Sequence, residues 1–331
     1  SIYNTSTAAN ATTVGISAGA TSNTLTGNTI RNMTAAGGTG SGVNAPLVGI
    51  QVALAATTHT IQQNSIHSLR HTAVAGTTNV YGIYFGATAG PNLIARNFIH
   101  SLGAASPAAV LNGIYMTASG ATTFQNNMIR LGIDAAGGSL PAGPAINGIF
   151  VFPAAAVYDY RFYFNSVYVG GSGVGGSAST YAFNSQNTFG TRNVRNNIFY
   201  NARSNGAGTG KHYAVRVGGT APNPTGLTIN YNVYHVSGTG GVFGFYNVAD
   251  VANLAAWKTA VGQDANSLDG DPQYQNPTGT AATVDLHINP ASMTPVEGVG
   301  VNIPSVTDDF DGQTRASLTP EDIGADAANL L

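Results

Sequence analysis

Apolar and polar positions along this chain recur with a long, regular period. An asparagine stands at Asn28, Asn64, Asn97, Asn127, Asn165, Asn197 and Asn232, and two positions after each comes an apolar residue: Ile30, Ile66, Ile99, Ile129, Val167, Phe199 and Tyr234. Three positions before each comes another: Leu25, Ile61, Ile94, Phe124, Phe162, Val194 and Ile229. The asparagines are 30 to 38 residues apart, a period that marks a repeat architecture. A second motif, a small residue and then an apolar one, falls once per interval. It reads Gly15-Ile16, Gly49-Ile50, Gly82-Ile83, Gly113-Ile114, Gly148-Ile149, Ala182-Phe183, Ala214-Val215 and Gly244-Phe245. Each repeat therefore carries at least two phased strands.

Side chains alternate faces along a strand, so inward residues should be an even number apart. The apolar sites flanking each Asn are five apart, which predicts a corner at the Asn, a residue that tolerates the left-handed backbone conformation. Stacked coil upon coil, the seven amides would hydrogen-bond as a ladder. A helical repeat would show a 3.6-residue period and few glycines. A propeller would need four strands in each Gly- and Ala-rich interval. The pattern predicts an all-β parallel β-helix, a solenoid of about eight coils rising about 4.8 Å each. Residues 35–46, 104–110, 135–144 and 170–179 are rich in Gly, Ala, Ser and Pro and read as loops from one side of it.

Composition supports close stacking, since 43% of the 331 residues are hydrophobic and 8% are charged, against about 25% charged in an ordinary domain. The absence of cysteine excludes disulfides and thiolate metal sites. The net charge of -2 hides a division. Residues 1–249 hold ten Arg or Lys and two acids, Asp134 and Asp159; residues 250–331 hold twelve acids against Lys258 and Arg315. A basic solenoid over 1–249 is thus followed by an acidic capping segment over 250–331. Residues 250–262 predict one helix, with Asp250 or Asn253 as N-cap and Leu254, Trp257 and Val261 on the face that covers the last coil.

No apolar run is long enough to span a bilayer. No signal peptide stands at Ser1, so the expectation is a processed chain or a fragment. The first residues read as the late part of a coil. An open solenoid edge there predicts continuation in a longer chain, or end-to-end self-association in which the acidic segment of one copy meets the basic body of the next.

The Asn-x-Ile coils resemble the right-handed parallel β-helix repeat family that shares the pectate-lyase fold. The segments Leu254 to Gly262, Asp269-Gly270-Asp271-Pro272, Asp285-Leu286-His287-Ile288, Asp309-Phe310-Asp311-Gly312 and Asp322 to Asp326 resemble the closing part of large secreted bacterial surface proteins. The resemblance implies an extracellular or cell-surface location. It leaves activity open, because the fold hosts lyases, hydrolases, tail spikes, adhesins and structural proteins.

Catalytic equipment is sparse. Glycoside hydrolysis needs paired carboxylates, whereas Asp134 and Asp159 stand less than one repeat apart and do not stack. A lyase needs a base beside acidic calcium ligands, and the solenoid lacks the acidic cluster. Asp308, Asp309 and Asp311 before Gly312 offer calcium-type oxygens, but the spaced loop with its terminal Glu is missing.

Binding leaves clearer traces. Three positions after each Asn come Arg31, His67, His100, Arg130, Tyr168, Tyr200 and His235, expected to point outward in a stripe. A second stripe, one past the inward residue of the other strand, holds Tyr84, Tyr115, Phe150, Arg216 and Tyr246. Planar rings can stack on sugar faces, and Arg and His can meet anionic groups; the alternative is that both stripes stabilise the sheets. The basic residues are too scattered for nucleic acid. Thr pairs at 12–13, 57–58, 77–78 and 122–123 keep no phase suited to ice. Two functions follow: an extracellular structural or adhesive surface protein, such as a filament subunit or part of a longer fibre, or a polysaccharide-binding or polysaccharide-degrading module.

Overall fold

A computed structural model describes residues 2–4, 11–19, 21–53, 56–153, 158–318 and 320–327, with only the backbone of 2–4. Each coil is built from three short strands, which in the third coil are Asn79–Phe85, Asn92–Ala95 and Phe98–His100. Equivalent strands of successive coils pair in parallel and in register. The eight strands with the small-apolar motif, with Ala249–Val251 added antiparallel at one edge, form a nine-stranded sheet, called the glycine sheet below. The seven strands after the ladder asparagines, joined by Ile2–Asn4, Gly103–Ala104 and Leu268–Asp269, form a ten-stranded ladder sheet, and a seven-stranded third sheet lies between the two in chain order. The chain is a parallel β-solenoid of about 7 turns, not eight. The eighth small-apolar strand, Gly241–Tyr246, opens a coil in which the helix Leu254–Val261 takes the place of a third-sheet strand.

The asparagines form the expected ladder. Each Oδ1 from Asn64 to Asn232 accepts two bonds, from the backbone N–H and the Nδ2 of the preceding coil's Asn, at 2.9 to 3.1 Å. Each Nδ2 also donates across the corner, as Asn97 does to the Ile61 carbonyl at 2.9 Å. Asn64 onward are buried; Asn28 is half-buried. Buried amides need such complete pairing, because each orphaned polar group costs about 1–3 kcal/mol.

The corner itself differs from expectation. Positive φ falls not on the asparagines but on the residue before each: Gly27, Gln63, Arg96, Asn126, Phe164, Asn196 and Tyr231. That residue reverses the chain, which leaves the Asn free to aim its amide along the axis.

The two motifs are halves of one contact. A β-carbon on Gly49, Gly82, Gly113 or Gly148 would stand 2.5, 2.4, 2.6 or 2.2 Å from a γ-carbon of Ile66, Ile99, Ile129 or Val167. These are the residues two past the ladder Asn. The glycine sheet therefore needs a small residue where the ladder sheet sends its apolar one inward, and the core fills between them.

The last coil is closed by the helix, whose N-cap is Asn253, accepting from Ala256 N–H at 2.9 Å. Asp250 lies outside the helix, in strand Ala249–Val251, and pairs with Lys211. Trp257 and Val261 are fully buried against the core. The ladder ends where Asn232 N–H donates to Ser267 Oγ at 2.8 Å. Ser267 donates to buried Asp264, which also accepts from Tyr234 O–H at 2.6 Å and Trp257 Nε1 at 2.7 Å.

The rest of the acidic segment does not cap the end. It folds back along the outside of the ladder sheet as far as the third coil. Asp308 pairs with Arg96 at 3.0 Å. Buried Arg315 donates to Asn126 Oδ1 at 3.0 Å and stands 3.9 Å over the Phe164 ring. Ala325 N–H donates to Ser166 Oγ at 2.9 Å. The acidic segment thus meets the basic body of its own chain, the complementarity expected between copies.

Candidate functional site

The first stripe exists as a register row: Arg31, His67, His100, Arg130, Tyr168, Tyr200 and His235 pair strand by strand along the ladder sheet. Arg31 is exposed, His67 and His235 are half-buried, and His100, Arg130, Tyr168 and Tyr200 are buried. The folded-back tail explains the burial. Tyr274 sets its ring edge-on to Tyr168 at 6.3 Å, and Arg130 Nη2 donates to the Gly279 carbonyl at 2.7 Å. Leu286, Ile288, Val296 and Ile323 pack against Met128, Ile198 and Val233. Burial, with His67 and Arg130 adding to it, pushes the His100 imidazole down to about 3. The middle of this row is where the tail docks.

The second row, on the outer face of the glycine sheet, runs Tyr84, Tyr115, Phe150, Asn184, Arg216 and Phe245. Tyr246 is not in it. Gly244 sits opposite Val215, which puts Phe245 opposite Arg216 and turns Tyr246 into the core. The rings face one another: Tyr81 stacks on Tyr115 at 4.6 Å and 13°, and Tyr84 on Tyr115 at 5.7 Å and 18°. Rings carried on strands about 4.8 Å apart stack on each other here, with Tyr84 buried and Tyr115, Phe150, Arg216 and Phe245 half-buried. Asn147 and Asn184 continue the theme, donating to Asn112 and Asn147 at 2.9 and 2.8 Å. Arg216 lies 4.9 Å over the Phe245 ring.

A cleft of about 680 Å³ lies over the first coils of the ladder sheet. Its floor arises because three strands bend at a positive-φ residue four past the ladder Asn: Asn32, Ser68 and Ser101. The first two then continue to Thr34 and Arg70, which pair in register, and Arg70 pairs with Gly103. One wall is a loop after Gly132 that Asp134 holds, its Oδ1 accepting from Ala136 and Gly138 N–H at 2.9 and 2.8 Å. Ser68 and Ser101 Oγ each lie 3.0 Å from the Nδ1 of the adjoining histidine, His67 and His100. Arg70 is exposed and makes no hydrogen bond or ion pair among the described residues. The cleft offers one free cation, one carboxylate and several hydroxyl and amide groups. At this phase the sequence reads Asn32, Ser68 and Ser101 in the first three ladder strands and Leu131, Val169, Asn201 and Val236 after them.

The three aspartates expected to offer calcium ligands serve separate ends. Asp308 is paired with Arg96, Asp309 is buried and accepts from Gln313 N–H at 2.8 Å, and Asp311 lies 3.1 Å from His287 Nε2. Asp159 is paired with Arg161, away from Asp134 in its loop. No described helix is long and apolar enough to cross a membrane. No family model, curated protein or solved structure matches the chain.

Proposed function

We propose that this chain is an extracellular, adhesive surface protein whose solenoid holds a polysaccharide in the cleft over the early coils of the ladder sheet. The observation that carries the reading is Arg70, an exposed cation without a hydrogen bond or ion pair among the described residues, set in a cleft with hydroxyl and amide groups. Sugars are bound by such groups, and a charged hydrogen bond contributes about 1.5–3 kcal/mol. The cleft holds one carboxylate, Asp134, where hydrolysis needs two, so the site is suited to holding rather than cutting. The likeness of the tail motifs to secreted bacterial surface proteins supports the location. Adhesion is preferred to filament formation because the acidic segment engages its own basic body.

The test is a screen of neutral and acidic polysaccharides followed by calorimetric titration. Arg70→Ala, at an exposed position, is expected to weaken binding at least tenfold with the fold retained. Absence of any polysaccharide ligand, or equal binding by R70A, would overturn the proposal.

A further inference from the structure

Three tail motifs to which neither the ladder nor the cleft gives a role meet at one point. They are Asp285-Leu286-His287-Ile288, Asp309-Phe310-Asp311-Gly312 and the segment from Asp322 to Asp326. One ring nitrogen of His287 and one carboxylate oxygen each of Asp311 and Asp326 lie within 4.8 Å of one another. His287 Nδ1 is 2.5 Å from Asp285 Oδ1, and His287 Nε2 is 3.1 Å from Asp311 Oδ2. The ring is thus held from behind by one carboxylate while its other nitrogen faces Asp311, the order in which proteins orient an imidazole toward a metal.

Asp326 supplies an independent observation. It is 8% exposed, and its Oδ2 accepts the Ile288 N–H at 2.9 Å. Among the described residues no donor bonds its Oδ1. Asp309 and Asp311 crowd the same carboxylate with like charge, and Arg315 is the permanent cation that couples to it. Carboxylates brought this close repel one another, and a cation bound between Asp311 and Asp326 would relieve that.

We propose that His287, Asp311 and Asp326 bind a divalent transition-metal ion of the zinc class, with Asp285 as the positioning residue behind His287. One imidazole and two carboxylates with water in the fourth place make a tetrahedral zinc set, whereas calcium takes six to eight oxygens. Strand Asp285–Ile288, the 308–312 turn and the 322–326 loop each contribute one part. The ion would staple these pieces in a chain that has no cysteine to do so.

The experiment uses the full chain, stripped with a chelator and then titrated with Zn²⁺, Co²⁺ and Ca²⁺. The expected result is one equivalent of zinc with a rise in Tm, and a cobalt visible spectrum of tetrahedral type. Asp311→Asn, at an exposed position, should abolish uptake, and Asp285→Asn should weaken it by roughly 10–100-fold. No saturable zinc or cobalt uptake, uptake unchanged in D311N, or saturation by calcium alone would overturn the proposal. The cobalt spectrum of the unaltered chain decides independently of any variant.

Discussion

A β-carbon on Gly82 would stand 2.4 Å from the Ile99 γ-methyl and 2.6 Å from the Gly113 carbonyl oxygen. Neither neighbour can retreat, since Ile99 is fully buried and Gly113 is backbone in the next coil. Gly82→Ala is therefore expected to cost about 1–3 kcal/mol through overpacking. Gly19→Ala, where nothing lies within 4 Å, should change stability by less than about 0.5 kcal/mol. Denaturant unfolding of the two variants checks the contrast.

The ladder predicts a gradient of cost along the axis. Asn127→Ala would strand the Asn97 N–H and the Ile94 carbonyl, both now bonded to the Asn127 amide, at about 1–3 kcal/mol each. Asn28→Ala removes only a donor, and Asn64 Oδ1 keeps the Asn28 backbone N–H at 3.0 Å. Its expected cost is about 0.5–1.5 kcal/mol. Equal losses in equilibrium unfolding would contradict the ladder.

His100 sets a pH dependence. Its imidazole is held down to about 3 by burial, His67 and Arg130, against 6.5 when free. The unfolded chain takes up the proton first as pH falls, so stability is complete above pH 6.5 and declines from there toward about pH 3. His100→Phe should give a flatter profile between pH 7.5 and 4.5. Parallel profiles would show that His100 carries no such linkage.

Arg315 anchors the tail. Removing a buried, hydrogen-bonded charge costs about 3–5 kcal/mol, and Arg315→Ala leaves Asn126 Oδ1 and the Gly324 carbonyl without their donor. Limited proteolysis should then cut within residues 300–327 while the solenoid stays protected. Protection equal to that of the unaltered chain would mean that other contacts hold the tail.

Repeat phase made the solenoid, the ladder and the helical end cap legible, because each coil repeats one geometric constraint and the helix shows an apolar face. The corner was misplaced by one residue, since the positive-φ position is filled by residues as unlike as Gln63, Phe164 and Tyr231. The stripes were found as rows, but their exposure was not, because the tail that buries Arg130 and Tyr168 follows no repeat. Tyr246 was misassigned because Gly244-Phe245 mimics the motif while Gly244 stands one place later in register, opposite Val215. Arg70 carries no repeat signature, because its place depends on the bends at Ser68 and Ser101.

The most direct measurement of the functional proposal is hydrogen–deuterium exchange with and without a bound polysaccharide. The account predicts added protection confined to residues 68–70, 101–105 and 134–142, the floor and wall of the cleft. Protection centred instead on the outer face of the glycine sheet, around residues 115, 150–152 and 213–216, would contradict it.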